Sequence, residues 1–93
     1  MKHVFSKPVM FEGQEYAEID IDIESMTGRD ISKIKRQWAG AGNFSPVPAM
    51  DMDFCILAAC HAAKLPFEFA DALPAREYTG ITQKVGNFLM GVD

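Results

Sequence analysis

Cysteine, histidine and clustered carboxylates are the residues of this chain whose types could do chemistry. Cys55, Cys60 and His61 fall in one stretch, and Glu18, Asp20, Asp22 and Glu24 alternate along another. A Cys-His couple needs the two side chains to oppose each other in space and a third group to orient the base. Adjacent residues on a helix diverge by about 100°, so Cys60 and His61 are not a dyad. Cys55 and Cys60 point away from each other on one helix and cannot bridge within it. Their spacing is not that of a zinc or redox motif, which leaves two buried, reduced thiols. Carboxylates two apart on a strand lie about 7 Å apart, too far to share a cation without distortion. They are expected to form a solvated face. His3 lies in a strand. The Gly-Ala-Gly at 40–42 does not follow a strand, so it is not a phosphate loop. No catalytic, cofactor or metal site is expected, and the chain is not expected to be an enzyme.

The elements that position these residues centre on the segment 51–65. Phe54, Cys55, Ile56, Leu57, Ala58, Ala59, Cys60, Ala62 and Ala63 are interrupted only by Asp53, His61 and Lys64. Ala and Leu lose little side-chain freedom in a helix. A helix apolar on nearly every side must be covered by others, and this one is too short for a bilayer, which needs about 20 residues. Asp51 is placed to cap it and Pro66 to stop it. A C-terminal helix over 74–90 follows, with Tyr78, Ile81, Val85, Phe88 and Leu89 as its stripe and Gly91 as its cap. Gly80 and Gly86 inside it imply either a close approach or a weak helix.

Upstream, residues 3–24 read as a β-hairpin. Phe5, Val9 and Phe11 share one face, Pro8 marks a sheet edge, and Glu12-Gly13 makes the turn. In AEIDIDIE, Ala17, Ile19, Ile21 and Ile23 face the core and the four acids face water. Thr27 and Asp30 form a capping box for a first helix over 27–39 with Ile31, Ile34 and Trp38 inward and Arg29, Lys33, Lys35 and Arg36 outward. A Pro/Gly loop spans 40–50. The fold class expected is α+β, an N-terminal antiparallel hairpin followed by three main helices on one small core, with 1–93 a single domain. Phe54, Leu57, Ala58, Ile81, Val85 and Phe88 are expected inside.

Ninety-three residues, net charge −4 and 48% hydrophobic residues bound the function. The charge argues against a general nucleic-acid binder. The N-terminus shows no signal peptide and no segment reads as a membrane span. The hydrophobic fraction is high for so small a domain, and the chain carries six Met, a flexible and adaptable apolar side chain. Some apolar surface is therefore expected to meet a partner or another copy. Met10, Trp38, Met50, Met52 and Met90 are the candidate contact residues.

The order and spacing of several motifs resemble one family. KPVMFEGQEY with Gly13, MTGRD at the first helix, SPVPAMDMDF before the Ala-rich helix, and LPFEFADALPAREYTGITQKVGNFL after it cover nearly the whole chain. The chain looks like the small tail assembly chaperones of long-tailed bacteriophages, in particular the Mu-like group. That resemblance implies a non-enzymatic protein of the infected or lysogenic bacterial cytoplasm, absent from the finished tail. It implies binding to the tape-measure protein, keeping it soluble, and helping to recruit tail-tube protein. Some genes of the family also yield a longer frameshifted product. Two other readings compete: a nucleic-acid-binding or transcriptional adaptor using the basic helix 29–38 with Trp38 free to stack, and a structural subunit of the phage particle.

Overall fold

A two-residue turn with both backbone φ angles positive, Glu12 at 50° and Gly13 at 76°, folds the N-terminal segment back on itself. Such a turn matches the right-handed twist of the strands it joins, and glycine at the second position adopts it without steric cost. In the computed structural model, which describes residues 1–91, it joins β1 (Lys2–Phe11) to β2 (Gln14–Asp20) in a two-stranded antiparallel sheet. The 3-10 turn Ile23–Ser25 leads to α1 (Gly28–Gly40). A second 3-10 turn, Pro48–Met50, precedes α2 (Met52–Ala63); a longer one, Phe67–Ala72, precedes α3 (Ala75–Leu89). The α+β class, the hairpin-first order and the small core match the sequence expectation.

The helix ends follow their sequence signals. The Thr27 hydroxyl accepts the Asp30 N–H while the Asp30 carboxylate accepts the Thr27 N–H. Asp51 accepts the Asp53 and Phe54 N–H groups at the start of α2. The end of α2 differs from expectation. Lys64, in the left-handed region at φ 59°, closes the helix before Pro66 is reached, with the Leu65 N–H returning to the Cys60 carbonyl.

Every residue of α2 from Phe54 to Cys60 is buried, as its all-round apolar sequence requires. α3 packs along it through Ile81, Thr82, Val85 and Gly86, and α1 through Ile34 and Trp38. The hairpin closes the core with Phe5, Val9 and Ile19, and Ile21 and Ile23 follow inward past the end of β2.

Three expectations are corrected. β2 ends at Asp20, so Asp22 and Glu24 belong to a turn, where Asp22 accepts the Ser25 hydroxyl. Ala17 is exposed, and Tyr16 takes its place beside Phe69, because the register shifts between the Val4↔Glu18 and Val9↔Tyr16 pairs. Phe88 is 42% exposed. It lies about 100° from the centre of the buried stripe at 100° per residue, in the last turn of α3.

The two glycines of α3 have different causes. A Cβ on Gly86 would sit 2.9 Å from the Ala49 carbonyl oxygen, whereas one on Gly80 would meet only His3 Cε1 at 3.6 Å. Gly86→Ala must move backbone, which outweighs the roughly 1 kcal/mol gain in helix propensity. Gly80→Ala gains that propensity in ordinary van der Waals contact. Thermal melts should therefore move in opposite directions, down by several degrees for Gly86→Ala and up by a few for Gly80→Ala.

Candidate functional site

Gly86 allows the segment before α2 to lie close on α3, and a groove opens beside that contact. Its floor is Ala49, Cys55 and Gly86; one wall is Met50 and Met52; the other is Thr79, Thr82, Gln83, Asn87 and Met90. The groove encloses about 350 Å³. Met50 is 68% exposed, Met52 45% and Met90 49%, an unusual allocation of large apolar side chains to solvent. Three of the five residues singled out from sequence thus converge on one groove.

The other two do not join it. Met10 is exposed near the hairpin turn, opposite Glu15 on β2. Trp38 is a correction: it is 5% exposed and packs edge-on against Phe54, with ring centroids 5.6 Å apart. The apolar stripe that made it look like a contact residue is what carries it inside. Arg29, Lys33, Lys35 and Arg36 are exposed as expected, but the stacking surface needed by a nucleic-acid adaptor on this helix is turned inward.

Two of the four polar side chains on the groove's polar wall are already engaged. The Thr82 hydroxyl donates to the Thr79 carbonyl, and the Thr79 hydroxyl to the Ala75 carbonyl. Cys55 is equally occupied, its thiol donating to the Ala49 carbonyl at 3.3 Å. Burial, with a smaller contribution from Asp51, pushes the Cys55 thiol up to about 11. Burial does the same to Cys60, which also reaches about 11. Both are free cysteines and stay protonated near neutral pH. The groove's chemistry is that of adaptable apolar contact.

A second arrangement escaped sequence reading. His3 is buried on β1, and its Nε2 lies 2.9 Å from Glu77 Oε1 on α3. Lys84 Nζ lies 2.9 Å from His3 Nδ1. An ammonium can only donate, so Nδ1 accepts and the Nε2–H donates to Glu77. The other Glu77 oxygen accepts the Ser6 N–H at 2.9 Å. Both ring nitrogens and both carboxylate oxygens are engaged, so the array latches the hairpin to α3. The Ser6 N–H, then His3, hold the Glu77 carboxyl below its ordinary value of 4.5. A depressed folded value contributes stability that is present above the ordinary value and lost as pH falls below it. Glu77→Gln should lower stability by about 0.5–1.5 kcal/mol at pH 7, because the amide offers one neutral acceptor oxygen where the carboxylate offered two charged ones. It should also flatten the acid side of the stability-pH curve, measured by urea unfolding from pH 3 to 7.

Among the described residues no helix is long and apolar enough to cross a membrane, and no group of three or more His, Cys, Asp or Glu is placed to hold a metal ion. No family model, curated protein or solved structure matches the chain.

Proposed function

We propose that this chain is a tail assembly chaperone of a long-tailed bacteriophage, acting in the bacterial cytoplasm on the tape-measure protein. The observation that supports it is the convergence of Met50, Met52 and Met90 on one open apolar groove, in a chain whose motifs resemble that family. A long helical client presents many apolar stripes of differing sequence. Methionine suits such a client because its unbranched, polarisable side chain repacks around different shapes. Masking is reversible and needs no nucleotide. Release comes from competition as tail-tube subunits assemble around the tape measure. That demands modest affinity at each contact and several copies per client.

The test is co-expression with a tape-measure protein from the genome that encodes this chain. The tape measure should become soluble, and a complex should survive moderate salt because apolar contact dominates. A phosphate-binding adaptor would instead lose about a thousandfold or more in affinity over the same range. Replacing Met50, Met52 and Met90 together by Gln should abolish the effect while leaving the helical circular dichroism unchanged. Equal solubility with and without the wild-type chain, and no recovered complex, would defeat the proposal.

A further inference from the structure

Three thioethers border a buried thiol in the Met groove. Met50, Met52 and Met90 stand on its walls, each close to half exposed or more, and Cys55 forms part of its floor at 2% exposure. The usual order of sulfur reactivity is reversed here. A peroxide attacks thiolate rather than thiol, whereas a thioether has no proton to lose, so exposure governs its reactivity. The Cys55 thiol is occupied by the Ala49 carbonyl, and Cys60 is only 4% exposed. Burial holds both thiols in the protonated form. The sulfur-bearing side chains most open to solvent are therefore the groove methionines, with Met10 on the hairpin as a fourth. Met1 and Met26 are partly buried.

The polar wall adds a second observation. Gln83 and Asn87 are exposed there, and no described residue accepts a bond from either side-chain amide. Residues 83, 87 and 90 follow at steps of four and three, so they share one face of α3 and its C-cap, Met90. A thioether is a weak acceptor, whereas a sulfoxide is polar and carries an oxygen that accepts. The two free amides thus suit an oxidised methionine better than a reduced one.

We propose that Met50, Met52 and Met90 form a reversible oxidation site, at which a hydroperoxide turns the groove from an open apolar surface into a closed polar one. With hydrogen peroxide, a lone pair of the methionine sulfur attacks one oxygen and the O–O bond breaks. Hydroxide leaves and takes the proton of the transferred hydroxyl, so the products are one sulfoxide and one water. The sulfur is oxidised by two electrons and the peroxide reduced by two. The sulfoxide oxygens accept from the Gln83 and Asn87 amides, which draws the methionine side chains across the groove. A sulfoxide reductase with a dithiol restores the thioether, giving a disulfide and water. The inference rests on the chaperone reading only for its consequence, that the oxidised groove lets go of an apolar helix.

The full chain is treated with hydrogen peroxide and digested for mass spectrometry at intervals. Met50, Met52, Met90 and Met10 should gain oxygen first, and Met26, Cys55 and Cys60 later. With methionine labelled at its methyl carbon, NMR should show contacts from the oxidised methyls to the Gln83 and Asn87 amide protons that the reduced chain lacks. Affinity for an amphipathic helical peptide of Ala, Leu and Gln should fall about tenfold or more, and return with methionine sulfoxide reductases and dithiothreitol. Replacing Met50, Met52 and Met90 together by Leu keeps the walls apolar, and the variant should melt as a folded protein because all three are exposed. Met10 can still be oxidised in it, yet its peptide binding should not respond to peroxide. Cysteine oxidation ahead of the groove methionines would overturn the inference. So would oxidised methyls that stay away from both amides, or a loss of binding in the Leu variant equal to that of the wild type. A reduced chain that binds no peptide defeats the chaperone reading, and the oxidation order and the amide contacts then decide the oxidation site by themselves.

Discussion

Phe69→Ala should lower the melting temperature by about 15 °C or more, the largest effect of any single truncation proposed for this chain. Phe69 is 1% exposed and lies at the meeting point of hairpin and helices. Its ring centroid is 5.1 Å from Tyr16 and 5.3 Å from Phe11, both near edge-on, and 6.4 Å from Phe5. Deleting a buried Phe costs about 3–5 kcal/mol, from lost transfer energy plus the cavity left behind. Edge-on aromatic pairs add about 0.5–1.5 kcal/mol each beyond area. A domain of this size has roughly 5–14 kcal/mol in total. A two-stranded hairpin is not stable alone, so loss of its anchor should free it from the helices. Phe67→Ala, two residues earlier and 48% exposed, is the control and should stay within about 1 kcal/mol of wild type. Thermal circular dichroism checks both, and similar melts for the two variants would place Phe69 outside the core.

Phe54→Ala should cost about 3–5 kcal/mol and separate α1 from α2. Phe54 is buried in the first turn of α2, and its ring meets Trp38 nearly perpendicular, at 79°. Trp38 and Ile34 are the fully buried residues of α1, so much of that helix's hold on the core passes through this pair. The loss should appear as a red shift of Trp38 emission and a lower urea midpoint. An unshifted spectrum in a destabilised variant would show that α1 is held by other contacts.

These two phenylalanines differ in how legible they were. Phe54 could be read from sequence because α2 is apolar on nearly every side, so no rotation of the helix exposes it. The caps at Thr27 and Asp51 were legible for a similar reason, since the signal and the structure it makes are a few residues apart. The inward Ile19, Ile21 and Ile23 were also legible, because their alternation survives the end of the strand. Phe69 was not. FEFADA has neither a helical nor a strand period, and its burial is imposed by a hairpin more than fifty residues away in sequence. Tyr16 in place of Ala17 was hidden by a register shift whose cause lies in the pairing of two strands, not in either alone. Phe88 belonged to the right stripe but to its flank. At the Met groove the residue type was informative and the place was not. Met50, Met52 and Met90 come together only because Gly86 lets the Ala49 carbonyl rest on α3. Trp38 fails as a contact residue because an inward stripe and an exposed aromatic read alike in sequence.

The latch between β1 and α3 sets a clock on synthesis. Its contacts span 71 residues from Ser6 to Glu77, 74 from His3 to Glu77 and 81 from His3 to Lys84. Strand β1 therefore meets these partners only once residue 84 has been made. At about 5–20 residues per second, a ribosome needs roughly 4–16 s to travel from His3 to Lys84. Hairpins form in about 1–10 μs, so translation and not chain diffusion governs the wait. Throughout that interval His3 lacks Glu77 and Lys84, and the Ser6 N–H lacks Glu77. A nascent chain stalled before residue 77 should be cut readily by protease in its N-terminal strands, and one extended past residue 84 and clear of the ribosome should resist.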